Sequence, residues 1–492
     1  MAISPLKIKF SWFVTLLLAS MTLFGCKTRQ ETIYIISTND IHGAFENIPN
    51  LATVVENYRS QDTASVFLVD AGDRWTGNPY VDMAVEDGVR VDGKPIIDLM
   101  NSLGYDAATF GNHEFDKGLA HLDNRTRGAD FPVILANVDT RESALAQPEP
   151  YIILTSKGGK RLALVGLITN FINGHPDGKD EIFEGTRFPS PYETAEKYTS
   201  LGHRNEVLIA LTHTGDDADS LMALHVPGYD LIIGGHTHRV IDRLNPVIVN
   251  GTRITQTGKS LKYAGITTIR MKGNRISSID NELIKLDTIA PHPAYLEKIE
   301  KYYDNPVLTE AVGTLGSDMT KAGAINMFTD IIRADMGTDF AFYHLGGVRV
   351  AGFPKGDITR GDLYAAEPFS STAVKCRMTL DEIKRMIINK FNDTQNMKES
   401  HREDIFPSGM NYTIITDERG EAVDITFDHR LPYESGTIYS VAMSDYMFGN
   451  YKFDKPQAEE VSVPLTDLFE EYFKKNSPVK PDNAMRVFIR RR

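Results

Sequence analysis

Cysteine is nearly absent: Cys26 and Cys376 are the only two in a chain of 492 residues. A disulfide framework is thereby excluded, and so is a structural zinc site built from thiolates. Positive charge is in deficit, with 53 Lys and Arg against 66 Asp and Glu and a formal net charge of −13. That balance speaks against a nucleic-acid polymer as partner and against nonspecific adhesion to anionic lipid. An anionic small molecule would need locally positive groups, which bound metal ions can supply. No heptad pattern, internal repeat or low-complexity segment occurs, which excludes a solenoid and leaves the oligomeric state open. What remains is a globular composition on a chain too long for one ordinary core; at about 150 residues per domain, two or three domains are expected.

Residues 1–26 stand apart. Lys7 and Lys9 precede an apolar stretch from Phe10 to Phe24 that ends in Leu23-Phe24-Gly25-Cys26. The stretch is shorter than the roughly 20 residues a membrane span needs and reads as an export signal. Its ending resembles a bacterial lipobox, which predicts cleavage before Cys26, lipidation of that residue and attachment to a bacterial envelope membrane, periplasmic or at the cell surface. Cys376 is then left unpaired. Lys27 to Thr32 reads as a short tether. A second boundary falls at 289–307, where Pro291-His292-Pro293 is followed by a charged, helix-forming segment from Ala294 to Asp304. This linker helix, with hinge material at its start, separates a first domain over 32–288 from a second over 308–492. In the first, strand-like runs alternate with helical stretches, including Pro49 to Arg59 and Tyr192 to Leu201. The second opens on a helical pattern from Ala324 to Met336 and closes on another from Leu465 to Lys475.

Five short polar clusters in the first domain each follow a run of apolar residues. They are Asp40-Ile41-His42, Gly72-Asp73, Gly111-Asn112-His113-Glu114, His213 and Gly234-Gly235-His236-Thr237-His238. Apolar runs bounded by Gly and polar residues read as buried strands. Sheets of this kind bind ligands at the carboxyl ends of their strands, so five clusters distant in sequence can share one pocket.

Asp40 and His42, two residues apart at a strand end, face the same way and can grip one ion. Asp73 has two oxygens with which to bridge a pair of ions. Asn112 offers an amide oxygen, and His213, His236 and His238 offer imidazoles. Such a set suits zinc, manganese, iron or cobalt, and is too rich in nitrogen for calcium. Two ions about 3.5–4 Å apart activate water and clamp a phosphoryl oxygen, which makes phosphate ester hydrolysis the expected chemistry. His113 is left over as general acid or electrostatic stabiliser, with Asp116 to align it. Glu114 is expected behind the ligands. His121, His175, His203, His225, His292 and His401 lack this context and read as ordinary surface or core residues, as does His344 apart from its place in a Gly-rich loop.

With these residues in view, the chain resembles the calcineurin-like metallophosphoesterases, and more narrowly the secreted 5'-nucleotidase and UDP-sugar hydrolase family. The resemblance implies an α/β protein: an αββα-sandwich metallophosphoesterase domain followed by a smaller α/β 5'-nucleotidase-type C-terminal domain that contacts substrate. It implies two divalent metal ions, one held by Asp40, His42 and His238, the other by Asn112, His213 and His236, with Asp73 on both, and His113 with Asp116 as catalytic dyad. The family's Asn-Gly-Gly-Gly-Ile-Arg-like loop is matched by His344-Leu345-Gly346-Gly347-Val348-Arg349, so Arg349 carries over as a phosphate ligand while the Asn has become His344. Pro368-Phe369 resembles the pair that supplies one wall of the nucleobase slot. The opposite wall falls to Tyr446 in a shortened loop from Asp445 to Tyr451, where Asn450 is the nearest polar substitute for the family's Asp.

The expected function is release of phosphate from nucleoside 5'-monophosphates or related nucleotides outside the cytoplasm. The altered loops leave room for a phosphodiesterase, nucleotide-sugar hydrolase or sulfur-ester hydrolase on the same metals. A third reading, a surface binding lipoprotein without turnover, would have no need of seven ligands plus His113 and Asp116.

Overall fold

The computed structural model describes residues 30–171, 173–393, 401–428 and 436–492. The export signal and Cys26 lie outside the described residues. In chain order, the principal strands of the first domain are β1 (Gln30–Thr38), β2 (Ser65–Asp70), β3 (Ala107–Thr109), β4 (Val133–Ile134), β5 (Tyr151–Thr155), β6 (Arg161–Ile168) and β7 (Val207–His213). They continue with β8 (Leu231–Ile233), β9 (Val240–Ile241), β10 (Val247–Val249), β11 (Thr252–Thr257), β12 (Tyr263–Lys272) and β13 (Arg275–Lys285). They build a six-stranded sheet in the order β13-β12-β1-β2-β3-β4 and a seven-stranded one in the order β9-β11-β8-β7-β6-β5, with β10 added on β11.

The apolar runs read from the sequence are buried on both faces, and period-two alternation sorts them. Ile33 and Ile35 of β1, Phe67 and Val69 of β2, Leu162 and Leu164 of β6, and Ile209 and Leu211 of β7 meet in one core between the sheets. Their neighbours Ile36 and Leu68 point outward, under the helices α1 (Ile48–Arg59), α2 (Lys94–Leu103) and α3 (Leu119–Arg127). Ala163, Val165, Leu208 and Ala210 point the other way, onto α4 (Pro191–Tyr198) and α5 (Asp216–His225). Two sheets between two helical layers are the result. Strands covered on both faces in this way are near-continuously apolar. β1 to β4 run parallel, as do β6, β7, β8 and β11, so the carboxyl ends of both sets gather at common edges.

The segment after residue 288 forms α6 (Pro293–Glu300) and a turn over Lys301–Tyr303. It is fastened to the first domain along its length. His292 N donates to Pro49 O at 2.9 Å, Tyr295 Oη to Ser102 O at 2.6 Å and Asn305 Nδ2 to Met83 O at 3.1 Å, and Ile299 joins the core beneath α1. Pro291-His292-Pro293, expected as hinge material, is thus held against the first domain.

In the second domain, α7 (Lys321–Met336) is N-capped by Thr320, whose hydroxyl accepts from Gly323 N. A five-stranded sheet has the order β16-β14-β19-β15-β20, built from β14 (Phe340–His344), β15 (Ala373–Thr379), β16 (Ile405–Ser408), β19 (Ile438–Ser444) and β20 (Glu460–Val461). A smaller sheet pairs β17 (Asn411–Thr416) with β18 (Ala422–Asp428) and β21 (Val487–Arg491). The helices α8 (Arg360–Ala366), α9 (Leu380–Phe391), α10 (Asp445–Asn450) and α11 (Leu465–Asn476) also belong to it. The segment read as a shortened loop is therefore the helix α10, capped by Ser444. Cys376 on β15 is free and buried.

Candidate metal centre and substrate cleft

Five of the seven expected ligands have left-handed backbones: Asp40 (φ 50°), His42 (φ 49°), Asp73 (φ 58°), His236 (φ 81°) and His238 (φ 56°). Such a φ costs a non-glycine residue about 1–3 kcal/mol and persists only where the surroundings enforce it. The enforcement here is close backbone packing. A Cβ on Gly72 would lie 2.4 Å from Gly111 N, and one on Gly111 would lie 2.2 Å from Asp73 Oδ1, so the loops after β2 and β3 can touch only through glycine. Glu114 locks the junction: its carboxylate accepts from Asp73 N and Arg74 N at 2.8 Å each and from Gly111 N at 2.6 Å.

The loops bring the side chains together across both sheets. His238 Nε2 is 3.2 Å from Asp40 Oδ1 and 3.1 Å from His42 Nε2. His213 Nε2 is 3.1 Å from Asp73 Oδ2, which lies 4.0 Å from His42 Nε2 and so stands between the two histidines. His236 Nδ1 meets Asn112 Oδ1 at 3.0 Å. Ligand atoms of Asp40, His42 and His238 lie within 4.8 Å of one another, as do those of Asp40, Asp73 and His213, and those of His42, Asp73 and His113. The donor set fits divalent cations. Two carboxylates, an amide oxygen and four imidazoles converge, and both His42 Nδ1 (3.0 Å from Thr76 O) and His213 Nδ1 (2.7 Å from Ala71 O) are turned onto backbone carbonyls, leaving Nε2 to face the cluster.

Burial opposes the charge on Asp73, but His213, His113 and His42 outweigh it and hold the carboxyl well below its usual range. Burial and the neighbouring Arg349 depress His42, keeping its ring neutral. His113 goes the other way: against burial, Asp116 and Asp73 raise its imidazole to about 9. Its Nδ1 is 2.9 Å from Asp116 Oδ2, and its backbone N donates to Asp73 Oδ1 at 2.8 Å.

A cleft of about 350 Å³ opens from this cluster between the domains. Arg349 and Phe369 come from the second domain into direct contact with the first. Arg349 Nη2 lies 3.2 Å from His42 Nε2, Phe369 stacks on His113 with centroids 5.4 Å apart, and the Arg349 guanidinium sits 5.5 Å over the Phe369 ring. Tyr446 lines the cleft but is already stacked on His344, at 4.6 Å and 23°. Asn450 does not line it; its amide donates to Tyr446 O at 3.0 Å, within its own helix. Several lining residues had no marker in the sequence: Lys179, Lys259, Lys321 and Arg402 supply positive charge, and Asp177 comes within 3.9 Å of His236. Lys179 pairs with Asp445 across the domains at 2.6 Å. Isolated basic residues carry no local signal; only the topology gathers them.

Two domain-family models match the chain in tandem, calcineurin-like phosphoesterase over residues 33–240 and 5'-nucleotidase, C-terminal domain, over 309–457. The trifunctional nucleotide phosphoesterase protein YfkN of Bacillus subtilis is 27% identical over 423 residues, covering 74% of this chain and 28% of that protein. A 5'-nucleotidase of Vibrio vulnificus is 25% identical over 442 residues, covering 74% of this chain and 78% of that one. The chain spans less than two fifths of the length of the first curated relatives it matches. A crystal structure of a 5'-nucleotidase precursor from Thermus thermophilus superposes with a TM-score of 0.78 at 20% identity, over 93% of this chain and 99% of that one, and attests the fold. Both matched domains, in this order and on this fold, place the chain among the calcineurin-like phosphoesterases that carry a 5'-nucleotidase C-terminal domain.

Proposed function

We propose that the protein is a dinuclear, divalent-metal-dependent phosphohydrolase that releases phosphate from nucleoside 5'-monophosphates or closely related nucleotides. The observation that carries the reading is the convergence of Asp40, His42, Asp73, His213 and His238 at the joint edge of two sheets, with Arg349 of the second domain 3.2 Å from His42. Asp40, His42 and His238 would hold one ion, Asn112, His213 and His236 the other, and Asp73 both. When bound, such ions supply Lewis-acid polarisation of a phosphoryl oxygen and a nucleophile from water at neutral pH.

The chain's own residues supply the rest. Arg349 presents a planar fork suited to two phosphoryl oxygens. His113, protonated up to about pH 9, stabilises charge on the leaving oxygen and can pass it a proton, while Asp116 keeps Nδ1–H aimed. Phe369 and Tyr446 supply aromatic surface for the organic part of the substrate. Export and lipid attachment at Cys26 belong to the same proposal and rest on the sequence of residues 1–26.

The test is phosphate release by the chain beginning after Cys26, loaded with Mn²⁺ or Zn²⁺, from AMP, UMP, UDP-glucose, 2',3'-cyclic AMP and p-nitrophenyl phosphate, with any monoester product of the diesters converted by added phosphatase. Preference for the monophosphates supports the reading, and activity on p-nitrophenyl phosphate alone removes the nucleotide from it. A second reading, a diesterase or a nucleotide-sugar or sulfur-ester hydrolase on the same metals, is favoured by one observation. The ring faces that would flank a base are engaged, Phe369 with His113 and Tyr446 with His344. Turnover of diesters above monophosphates would select it.

A further inference from the structure

Among the described residues, Glu367 is the most deeply enclosed acid of the second domain, with no exposed surface. It follows α8 directly, and its carboxylate folds back over its own loop. Oε1 accepts from Ser371 Oγ at 2.7 Å and Oε2 from Ser371 N at 3.3 Å. Between the two ends of this clasp lie Pro368, Phe369 and Ser370, the last in a left-handed conformation (φ 53°). Phe369 at the tip is the ring that stacks on His113 and underlies Arg349.

The same carboxylate reaches a second loop. Tyr343 Oη lies 3.4 Å from Oε1, and Tyr343 supports the turn that follows it: a Cβ on Gly347 would stand 2.7 Å from that hydroxyl. On the other side of Glu367, Ala366 O accepts from Arg349 N at 2.9 Å. Among the described residues, no cation is a hydrogen-bond partner of the carboxylate, and burial pushes its carboxyl up to about 7. An acid buried without a counter-ion costs free energy that an apolar or amide side chain would avoid. Its bonds lead to the two loops that meet the metal centre.

We propose that Glu367 is a positioning residue: its carboxyl clasps residues 367–371 and thereby fixes Phe369 against His113 and, through Ala366 and Tyr343, the turn that carries Arg349. The inference rests on the phosphohydrolase reading of the site. It predicts that Glu367 acts through Phe369, which a purely structural role would not require.

A double-mutant cycle on the metal-loaded protein tests this, with AMP as substrate. Glu367→Leu should lower kcat/KM by about tenfold or more, chiefly in kcat, as expected when a catalytic group is misplaced. Glu367→Gln, whose amide oxygen still accepts from Ser371, should restore most of the loss. In a Phe369→Ala background, Glu367→Leu should cost clearly less than in the wild-type background, because the part of its effect that runs through Phe369 is already lost and only the part through the Arg349 turn remains. Equal losses in both backgrounds, or wild-type kinetics for Glu367→Leu, would overturn the proposal. If Glu367→Leu fails to fold, Ser371→Ala removes the clasp hydroxyl and is read in the same cycle, with the same two outcomes. Affinity for inorganic phosphate, by calorimetry, separates the two claims. If it weakens in the leucine variant and recovers in the glutamine variant while no ester is turned over, the positioning role stands and the hydrolase reading falls. If wild type turns over AMP and neither kinetics nor phosphate affinity responds to position 367, the reverse holds.

Discussion

Asp116 favours the charged form of His113. With the carboxylate 2.9 Å from Nδ1, the imidazole stays protonated until about pH 9, although burial alone would strip its proton earlier. The sign follows: the charged form is present below the raised pKa and is lost as pH rises through it. Asp116→Asn removes the leading favourable interaction, so the alkaline limb of the kcat/KM profile should move from near pH 9 toward the ordinary histidine range around 6.5. Activity at pH 8 should then fall more than activity at pH 6. A profile that keeps its limb near 9 would remove His113 from the role of acid. The strained ligands offer a test that needs no turnover. At His236 (φ 81°) glycine tolerates the backbone and alanine does not, so metal-free His236→Gly should outlast His236→Ala by about 1 kcal/mol, roughly 2 °C in thermal midpoint. Equal midpoints would mean that the loop relaxes once the imidazole is gone. Ligand-type residues were legible because Asp-x-His, Gly-Asp and Gly-Gly-His-x-His follow apolar runs. The stack of His344 on Tyr446 was not, since nothing local distinguishes His344 from a core histidine.

At the level of elements, the sequence spoke most clearly where burial is complete. Runs such as Val207 to Leu211 read as strands because both faces are apolar, and the structure alternates them between two cores. Leu164 sits fully buried between the sheets. Leu164→Ala should cost about 2–5 kcal/mol through lost contacts and the cavity left behind, read as a lowered urea midpoint for the first domain, while metal bound at saturation should be unchanged because no ligand loop is touched. A loss of metal at saturation would mean that the sheet packing itself holds the ligand geometry. Elements short or capped by polar side chains were harder to read. The helix α10 looked like a loop because its six residues include Gly449 and Asn450, and what starts it is the Ser444 hydroxyl accepting from Met447 N. The segment 289–307 read as a spacer because Pro and charge dominate it; its attachment depends on backbone and tyrosine hydrogen bonds that composition does not encode.

For the whole molecule, the decisive feature is that one site is built by two domains. The first supplies every candidate metal ligand, the second supplies Arg349 and Phe369, and the two meet directly: Arg349 Nη2 is 3.2 Å from His42 Nε2. Two roles are therefore separable by mutation. Arg349→Ala should leave bound metal unchanged, since the guanidinium is no ligand, yet lower kcat/KM by about 10²-fold, the scale for removing one preorganised donor to developing charge. Arg349→Lys should recover little, because a point charge lacks the fork and also the flat face that lies over Phe369. Steady-state kinetics beside metal analysis of each variant checks both. Full recovery by lysine would reduce Arg349 to a source of positive charge, a part that Lys321, Arg402 and Lys259 around the same cleft can share. Loss of metal in Arg349→Ala would instead mean that the second domain helps to hold the ligands in place, and the division of labour between the domains would have to be redrawn.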